Sequence, residues 1–323
     1  MPRAIERILV IKLSALGDFV LALAAMKKIR EAHPKAHITL LTTPPFEALA
    51  KACPYFNAVD TGGRPHGLAA WLALRTRIRS ARFSRVYDLQ TSSQSNRIFQ
   101  ILRPGPPAWS GIALGCSLPH SNPLRNGMHT LERQADQLMH AGIWPDAPVT
   151  PGAAPPPDLS WIVKSAPSDR STPAGANRPR PYVIFVPGGS AHRMDKRWPV
   201  ERYAELARIL YGRGFDIVVV GGPQETELAH AIQRATPRAR DLTGRTDFAA
   251  VAVLGAKAAL AIGNDTGPLH LAAAAGAATI VLFSKASDPA LSAPRGRVTI
   301  LQAESLSDLP VAQVARAAQA MTA

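Results

Sequence analysis

Apolar residues in this chain fall into short unbroken runs separated by longer stretches of helical period. Residues 7–13 (RILVIKL) form such a run, the pattern of a strand buried on both faces. A turn at 14–17 leads into a helix over 18–32 that stops before Pro34, and a second strand is expected at 37–42. Strand, helix and strand at this spacing make a βαβ unit, so the sheet is expected to be parallel with helices on its faces. A further strand is expected at 85–89, and helices at 46–52, 68–83, 91–102 and 131–141.

From Pro145 to Pro181 the chain is crowded with Pro, Ser, Ala and Arg and keeps no period. It reads as a connection between domains, with a short strand near 161–163. A second series then begins, with strands at 182–186, 216–220, 258–262 and 278–283. Helices are expected at 199–211, 226–235 and 248–256, then from Pro268, and last at 308–321. The organisation predicted is an N-terminal Rossmann-like domain over 1–160 and a Pro-rich connection over 161–181. A second Rossmann-like domain follows over 182–307, and a final helix over 308–323 is expected to pack back on the first domain.

Length and composition agree with this division: 323 residues at 46% apolar content suffice for two cores. Cys53 and Cys116 form no CxxC or Cys/His spacing, which points to a reducing compartment without structural zinc. The first eleven residues lack the apolar core of a signal peptide, and no stretch approaches the roughly 18 to 20 apolar residues that span a bilayer. A cytoplasmic protein is expected. The net charge of +14 is uneven, with 22 basic and 11 acidic residues up to Arg180 and 15 against 12 beyond it. Arg64 to Arg103 holds eight arginines and one acid, Asp88. Its segment 68–83 reads either as a basic amphipathic helix for an anionic membrane or macromolecule, or as a solvated helix face. Nucleic acid is not expected, because no binding motif accompanies the charge.

In open α/β sheets, ligands bind beyond the carboxyl ends of the strands, and four loops of this sequence fall there. In the first, Ser14-Ala15-Leu16-Gly17-Asp18, Asp18 is either a helix cap or a general base that takes a proton from an attacking hydroxyl. The second, Pro187-Gly188-Gly189-Ser190, leads to Lys196-Arg197-Trp198-Pro199. Ser190 and the glycines can donate to a phosphate and Lys196 can neutralise it, the alternative for Lys196 being a surface lysine. In the third, Gly221-Gly222-Pro223-Gln224-Glu225, Glu225 is either an acceptor for ribose or sugar hydroxyls or a first-turn helix acid. The fourth, Gly263-Asn264-Asp265-Thr266-Gly267-Pro268-Leu269-His270, has the form of an anion cradle. An apolar strand runs into a turn, and Pro268 opens a helix whose unpaired N–H groups and dipole suit a diphosphate. Thr266 and Gly267 allow close approach, Asp265 and Thr266 can also cap the helix, and His270 faces the phosphates or is a buried histidine. No two aspartates are spaced D-x-D, so a diphosphate here is expected to be held by Lys, Arg and N–H dipoles without a metal. Neither half carries GxGxxG after its first strand, which argues against a nicotinamide or flavin enzyme.

Taken together, these loops resemble glycosyltransferase family 9, the ADP-heptose:lipopolysaccharide heptosyltransferases. The resemblance runs from Gly17-Asp18 through Lys196-Arg197-Trp198-Pro199 and Gly221-Gly222-Pro223-x-Glu225 to Asn264-Asp265-Thr266-Gly267-x-x-His270. It implies the GT-B architecture, two Rossmann-like domains facing a central cleft. It also implies inverting, metal-independent transfer of heptose from ADP-heptose to a Kdo or heptose of the lipopolysaccharide inner core, at the cytoplasmic face of the inner membrane. By the same resemblance Asp18 is the base, and Ser190, Lys196, Asp265, Thr266, Gly267 and His270 surround the ADP, with Glu225 on the nucleotide side. The chain departs from the family at Phe283-Ser284-Lys285-Ala286-Ser287-Asp288-Pro289, where an aromatic-Gly-Pro-Thr/Ser turn is usual. The alternatives are a related transferase using another nucleotide sugar and a non-catalytic module that docks on membranes.

Overall fold

The computed structural model describes residues 5–165, 180–189 and 193–323. The chain divides into two compact units, Met1–Pro155 and Pro156–Ala323. Each is built on a six-stranded, wholly parallel sheet.

The first unit runs β1 (Arg7–Ile11), α1 (Leu16–Leu21), α2 (Leu23–Ala32), β2 (His37–Leu41), α3 (Glu47–Ala52), β3 (Ala58–Asp60), α4 (Gly67–Ser80), β4 (Arg85–Asp88), α5 (Ser93–Ile101), β5 (Ala108–Gly111), β6 (Leu118–Pro119) and α6 (Thr130–His140). Its strand order is β3-β2-β1-β4-β5-β6, so the winding reverses between β1 and β4. The helix expected over 18–32 is two helices, because the turn at Ala22 separates α1 from α2. Leu9, Ile11, Val86 and Trp109 of the sheet pack against Leu74 and Ile78 of α4 and Ile98 and Phe99 of α5.

The second unit starts with α7 (Ser160–Ser165), a helical turn where a strand near 161–163 is expected from sequence. Trp161 and Ile162 are apolar enough for either; the Leu159 carbonyl accepts from Ile162 and Val163 to open the helix, and Asp158 just before it accepts from the Ser160 N–H. It continues with β7 (Tyr182–Val186), α8 (Val200–Gly212), β8 (Asp216–Val219), α9 (Thr226–Ala235), β9 (Arg240–Asp241), α10 (Phe248–Lys257), β10 (Leu260–Asn264), α11 (Gly267–Ala274), β11 (Thr279–Ser284), α12 (Pro289–Ser292), β12 (Val298–Ala303) and α13 (Val311–Thr322). The order is β12-β11-β10-β7-β8-β9, again reversing at its middle, between β7 and β10. Side chains alternate along the central strands. Val183, Phe185, Ile217, Val219, Leu260, Ile262, Ile280 and Leu282 face α8, α9 and α13, while Ile184, Val186, Val218, Ala261, Val281 and Phe283 face α10 and α11. Both faces are thus sealed, which is why these strands read as continuous apolar runs. The last helix buries Val311, Val314, Ala315 and Ala318 in this second unit's own core; that is where the structure places the segment expected on the first domain.

Candidate functional site

Both reversals of strand order carry polar groups at the carboxyl ends of the strands, where an open sheet parts its loops. In the first unit the loops after β1 and β4 are tied together: the N–H groups of Leu13 and Ser14 donate to Gln90 Oε1 at 2.8 and 3.2 Å. Asp18 is the third residue of α1 rather than its cap. Ala15 holds the capping position, and its N–H reaches the Asp18 carboxylate at 3.2 Å. That single bond leaves most of the acceptor capacity of this half-buried carboxylate free.

Near Asp18 lie two buried ionisable side chains that sequence does not single out as a site. Lys12 is 4% exposed and donates to the Leu89 carbonyl at 3.4 Å; burial pulls its pKa down, with Asp18 and Asp88 opposing. Asp88 is fully buried and is pushed up to about 6 by that burial, although the Gln90 and Thr91 N–H groups donate to its Oδ1. Its Oδ2 has no partner. Cations stand around this end of the sheet: Arg64 donates to Ser14, while Arg133 feels the charge of Asp18 and Arg125 that of Asp88.

Three arginines of α4, for which the sequence leaves open an anionic partner or a solvated face, are tied to the protein itself. Arg75 donates to Ile101 O at 2.8 Å, Arg79 to Leu102 O and Pro104 O at 2.7 and 2.9 Å, and Arg77 pairs with Asp60 at 3.0 Å. They cap the carbonyl end of α5 and fasten α4 to the sheet. At its first turns α4 also leaves two large apolar side chains in solvent, Leu68 and Leu72, 76% and 53% exposed, while Thr76, Arg77, Arg79 and Ser80 are exposed further along.

In the second unit three loops converge. Glu225 is buried, and its carboxylate accepts from the Gly189 N–H at 2.9 Å and the Gly222 N–H at 2.6 Å, so it clasps the loops after β7 and β8. Gly188 is required by this clasp, since a Cβ there would lie 1.9 Å from the Glu225 carboxylate. Asn264, fully buried, makes the second clasp. Its amide donates to Pro187 O and Gly188 O at 2.8 and 3.1 Å, and its oxygen accepts from the Trp198 N–H and Tyr203 hydroxyl at 3.0 and 3.1 Å. Gly263 must be glycine for the same closeness, because a Cβ would meet the Val186 carbonyl at 2.5 Å.

Asp265, Thr266, Gly267 and His270 follow at the start of α11. Lys196 Nζ and Ser287 Oγ both donate to Asp265 Oδ2 at 3.0 Å, and His270 Nε2 lies 4.0 Å from Oδ1. Burial alone would raise the Asp265 pKa, but these bonds and the charges of Lys196 and His270 hold it down to about 2. Thr266 caps α11 by position without a side-chain bond. Its Oγ1 and His270 Nδ1 are buried without a hydrogen-bond partner, an unusual state for polar atoms that leaves both free to meet a polar ligand. The structure therefore brings Lys196, Asp265, Thr266, Gly267 and His270 together, with Glu225 one loop away. Ser190 lies outside the described residues. Two further groups belong to this cluster. Ser287 stands in the segment where the sequence departs from the family turn, and Arg197 donates to Gly189 O at 2.6 Å while its Nε stays buried and unpaired. The Lys196-Arg197-Trp198-Pro199 motif carried the signal for Arg197; nothing local carried one for Ser287.

His120, Asp136 and His140, also in the first unit, form a cluster of the composition that binds metals. The geometry does not fit one. His120 Nε2 and Asp136 Oδ2 are 2.6 Å apart, closer than two ligands of one tetrahedral ion with bonds of about 2 Å can stand. Arg125 Nε donates to His120 Nδ1 at 3.3 Å, and His140 Nδ1 donates to the Asp136 carbonyl at 2.9 Å.

Two doubly wound parallel sheets in tandem, each with its polar groups at the reversal of strand order, define the GT-B architecture of glycosyltransferases. The structure is similar over 98% of its length to E. coli ADP-heptose lipopolysaccharide heptosyltransferase II, with TM-score 0.76, 22% identity and 98% of that chain covered. It is similar over 98% to the E. coli heptosyltransferase WaaC solved with ADP, with TM-score 0.75, 21% identity and 99% of that chain covered. In sequence it is 26% identical over 300 residues to lipopolysaccharide heptosyltransferase 2 of Salmonella typhimurium, covering 87% of this chain and 83% of that protein. The model of glycosyltransferase family 9 (heptosyltransferase) matches residues 71–310. The chain belongs to that family, and it is a glycosyltransferase.

Proposed function

We propose that this enzyme moves a heptose from ADP-heptose to a Kdo or heptose of the lipopolysaccharide inner core, with inversion and without a metal, at the cytoplasmic face of the inner membrane. The observation that carries this reading is the pair of unpartnered buried polar atoms, Thr266 Oγ1 and His270 Nδ1, beside Lys196 at the N-terminus of α11. Helix dipole, hydroxyl, imidazole and ammonium are the complement of a diphosphate. The relatives named for lipopolysaccharide heptosyl transfer, and the WaaC structure containing ADP, support the same donor and acceptor classes. In this reading Asp18 takes the proton of the acceptor hydroxyl as its oxygen bonds to the anomeric carbon. The bond from that carbon to the diphosphate breaks, and ADP leaves with the electron pair. Lys196 and the start of α11 stabilise the charge that grows on the departing diphosphate, so no cation is needed there. Arg64, Arg125 and Arg133 supply positive charge for the anionic acceptor. Peripheral attachment to the membrane is part of the reading, supported by exposed Leu68 and Leu72; among the described residues, no helix is long and apolar enough to cross a bilayer.

The test is calorimetric titration with ADP, UDP and GDP in EDTA and again with magnesium, followed by turnover assays of Asp18→Asn. ADP is expected to bind best and equally in both buffers. Asp18→Asn is expected to keep that affinity and lose about 10²- to 10⁴-fold in kcat, the usual worth of a general base. Preference for another nucleotide, or dependence on magnesium, overturns the donor or the metal-free step, and a fully active Asp18→Asn enzyme overturns the base.

A further inference from the structure

The cluster that fails as a metal site is ordered in a way that serves another purpose. Arg125 Nε can only donate, so the His120 Nδ1 that it meets at 3.3 Å must be the acceptor and His120 must be neutral. The ring's hydrogen is then on Nε2, where it points at Asp136 Oδ2 at 2.6 Å. Burial lowers the His120 pKa and so favours this neutral form, against the pull of Asp136. Asp136, 2% exposed, is anchored on α6 and also accepts from Asn122 Nδ2 at 2.9 Å. The result is a directed chain from a buried carboxylate through an imidazole of fixed tautomer to a guanidinium. At its outer end Arg125 is only partly buried, and its Nη1 donates to the exposed Asn126 at 2.9 Å. Arg125 feels the charge of Asp88 and is felt by Arg133, which in turn feels Asp18, so the chain ends among the charges at the carboxyl edge of the first sheet.

We infer that His120 and Asp136 are positioning residues that aim the Arg125 guanidinium at an anionic group, a carboxylate or phosphate, of the acceptor. The inference rests on the proposed heptosyl transfer, because it needs an anionic acceptor at this edge. It assigns no proton transfer to the dyad. Asp136 fixes the tautomer of His120, and His120 holds the guanidinium Nε while Asn126 takes one hydrogen of Nη1, so that Nη2 and the second Nη1 hydrogen are presented in a set direction.

Two substitutions separate the links of this chain. In His120→Asn the amide oxygen takes the place of Nδ1 and can still accept from Arg125; in His120→Gln the amide nitrogen takes the place of Nε2 and keeps only the bond to Asp136. Initial rates of the full-length enzyme would be measured with ADP-heptose against acceptors ending in Kdo and in heptose, beside the melting temperature. His120→Gln is expected to raise the acceptor KM about tenfold or more, the worth of one charge-assisted hydrogen bond, with donor KM nearly unchanged. His120→Asn is expected to stay within about threefold of the wild type in acceptor KM, although it leaves Asp136 one partner short. If His120→Asn does not fold, His120→Asn/Asp136→Asn removes the stranded charge and carries the same expectation. Equal effects of Asn and Gln, or a loss confined to kcat or shared by donor KM, overturn the positioning role. A wild-type enzyme that transfers heptose to neither acceptor overturns the functional reading itself, and the assignment with it.

Discussion

Asp265 is a single carboxylate asked to do three jobs, and its environment shows how. Lys196 and Ser287 share its Oδ2, His270 approaches its Oδ1, and its backbone leads into α11. Held down to about 2 in the folded protein against about 3.9 in an unfolded chain, it stabilises the fold in its ionised form. That contribution, about 2 kcal/mol, is fully present above pH 5 and is lost as pH falls through 4 towards 2. Urea unfolding of wild type and Asp265→Asn from pH 7 to pH 2.5 tests this. The variant should be the less stable at neutral pH and the two curves should converge on acidification; parallel curves would mean that Asp265 is not held ionised by its neighbours. Residue identities at this site were legible in sequence because glycines, an Asp-Thr-Gly turn and a helix-opening proline occur together. Their partners were less so. Ser287 lies 22 positions from Asp265, and His120 and Asp136 lie 16 positions apart, with no turn or period to link them.

At the scale of elements, long apolar runs and amphipathic helices were readable almost to the residue, as at β7 and α9. Their signal is burial on both faces or on one stripe, which any window of sequence displays. The edge strands were not anticipated: β3, β6 and β9 have three, two and two residues, and β5 (AWSG) and β12 lie at or near a sheet edge where one face needs little hydrophobicity. The segment near Trp161 turned out helical, with the Asp158 carboxylate tied to the Ser160 N–H just before its first turn, where apolar residues alone suggested a short strand. The arginines of α4 give the sharpest contrast. Composition offers them to a membrane, while the fold spends Arg75 and Arg79 on the carbonyls that end α5. Arg79→Ala should therefore lower the melting temperature by a few degrees and leave partition onto anionic vesicles unchanged, whereas Leu72→Ser should weaken that partition with little effect on melting. Loss of vesicle binding in Arg79→Ala at an unchanged melting temperature would return the basic face to the lipid.

Across the whole molecule, charge is divided as the labour is. The first unit, to Pro155, carries 18 basic and 9 acidic residues, and the second 19 and 14. In the second unit two cations by the proposed donor loops are matched locally, Lys196 by Asp265 and Arg193 by Asp195, while Arg197 keeps a buried, unpaired Nε. The largely buried Lys196–Asp265 pair is screened little by mobile ions, unlike the exposed Arg193–Asp195 pair. In the proposed reading the surplus of the first unit acts at longer range on an anionic acceptor, and salt weakens it once the screening length falls from about 10 Å at 0.1 M to about 3 Å at 1 M. Steering of this kind raises association about 10- to 10³-fold in clefts lined by one sign of charge. Acceptor kcat/KM should accordingly fall by roughly tenfold or more between 0.05 and 0.5 M salt, mainly through KM, while donor KM changes several times less. Steady-state kinetics with each substrate varied at saturating amounts of the other separates the two. A donor KM that rises as steeply as the acceptor's would mean that the charge works through the molecule as a whole, and that the basic excess of the first unit confers no preference for the acceptor.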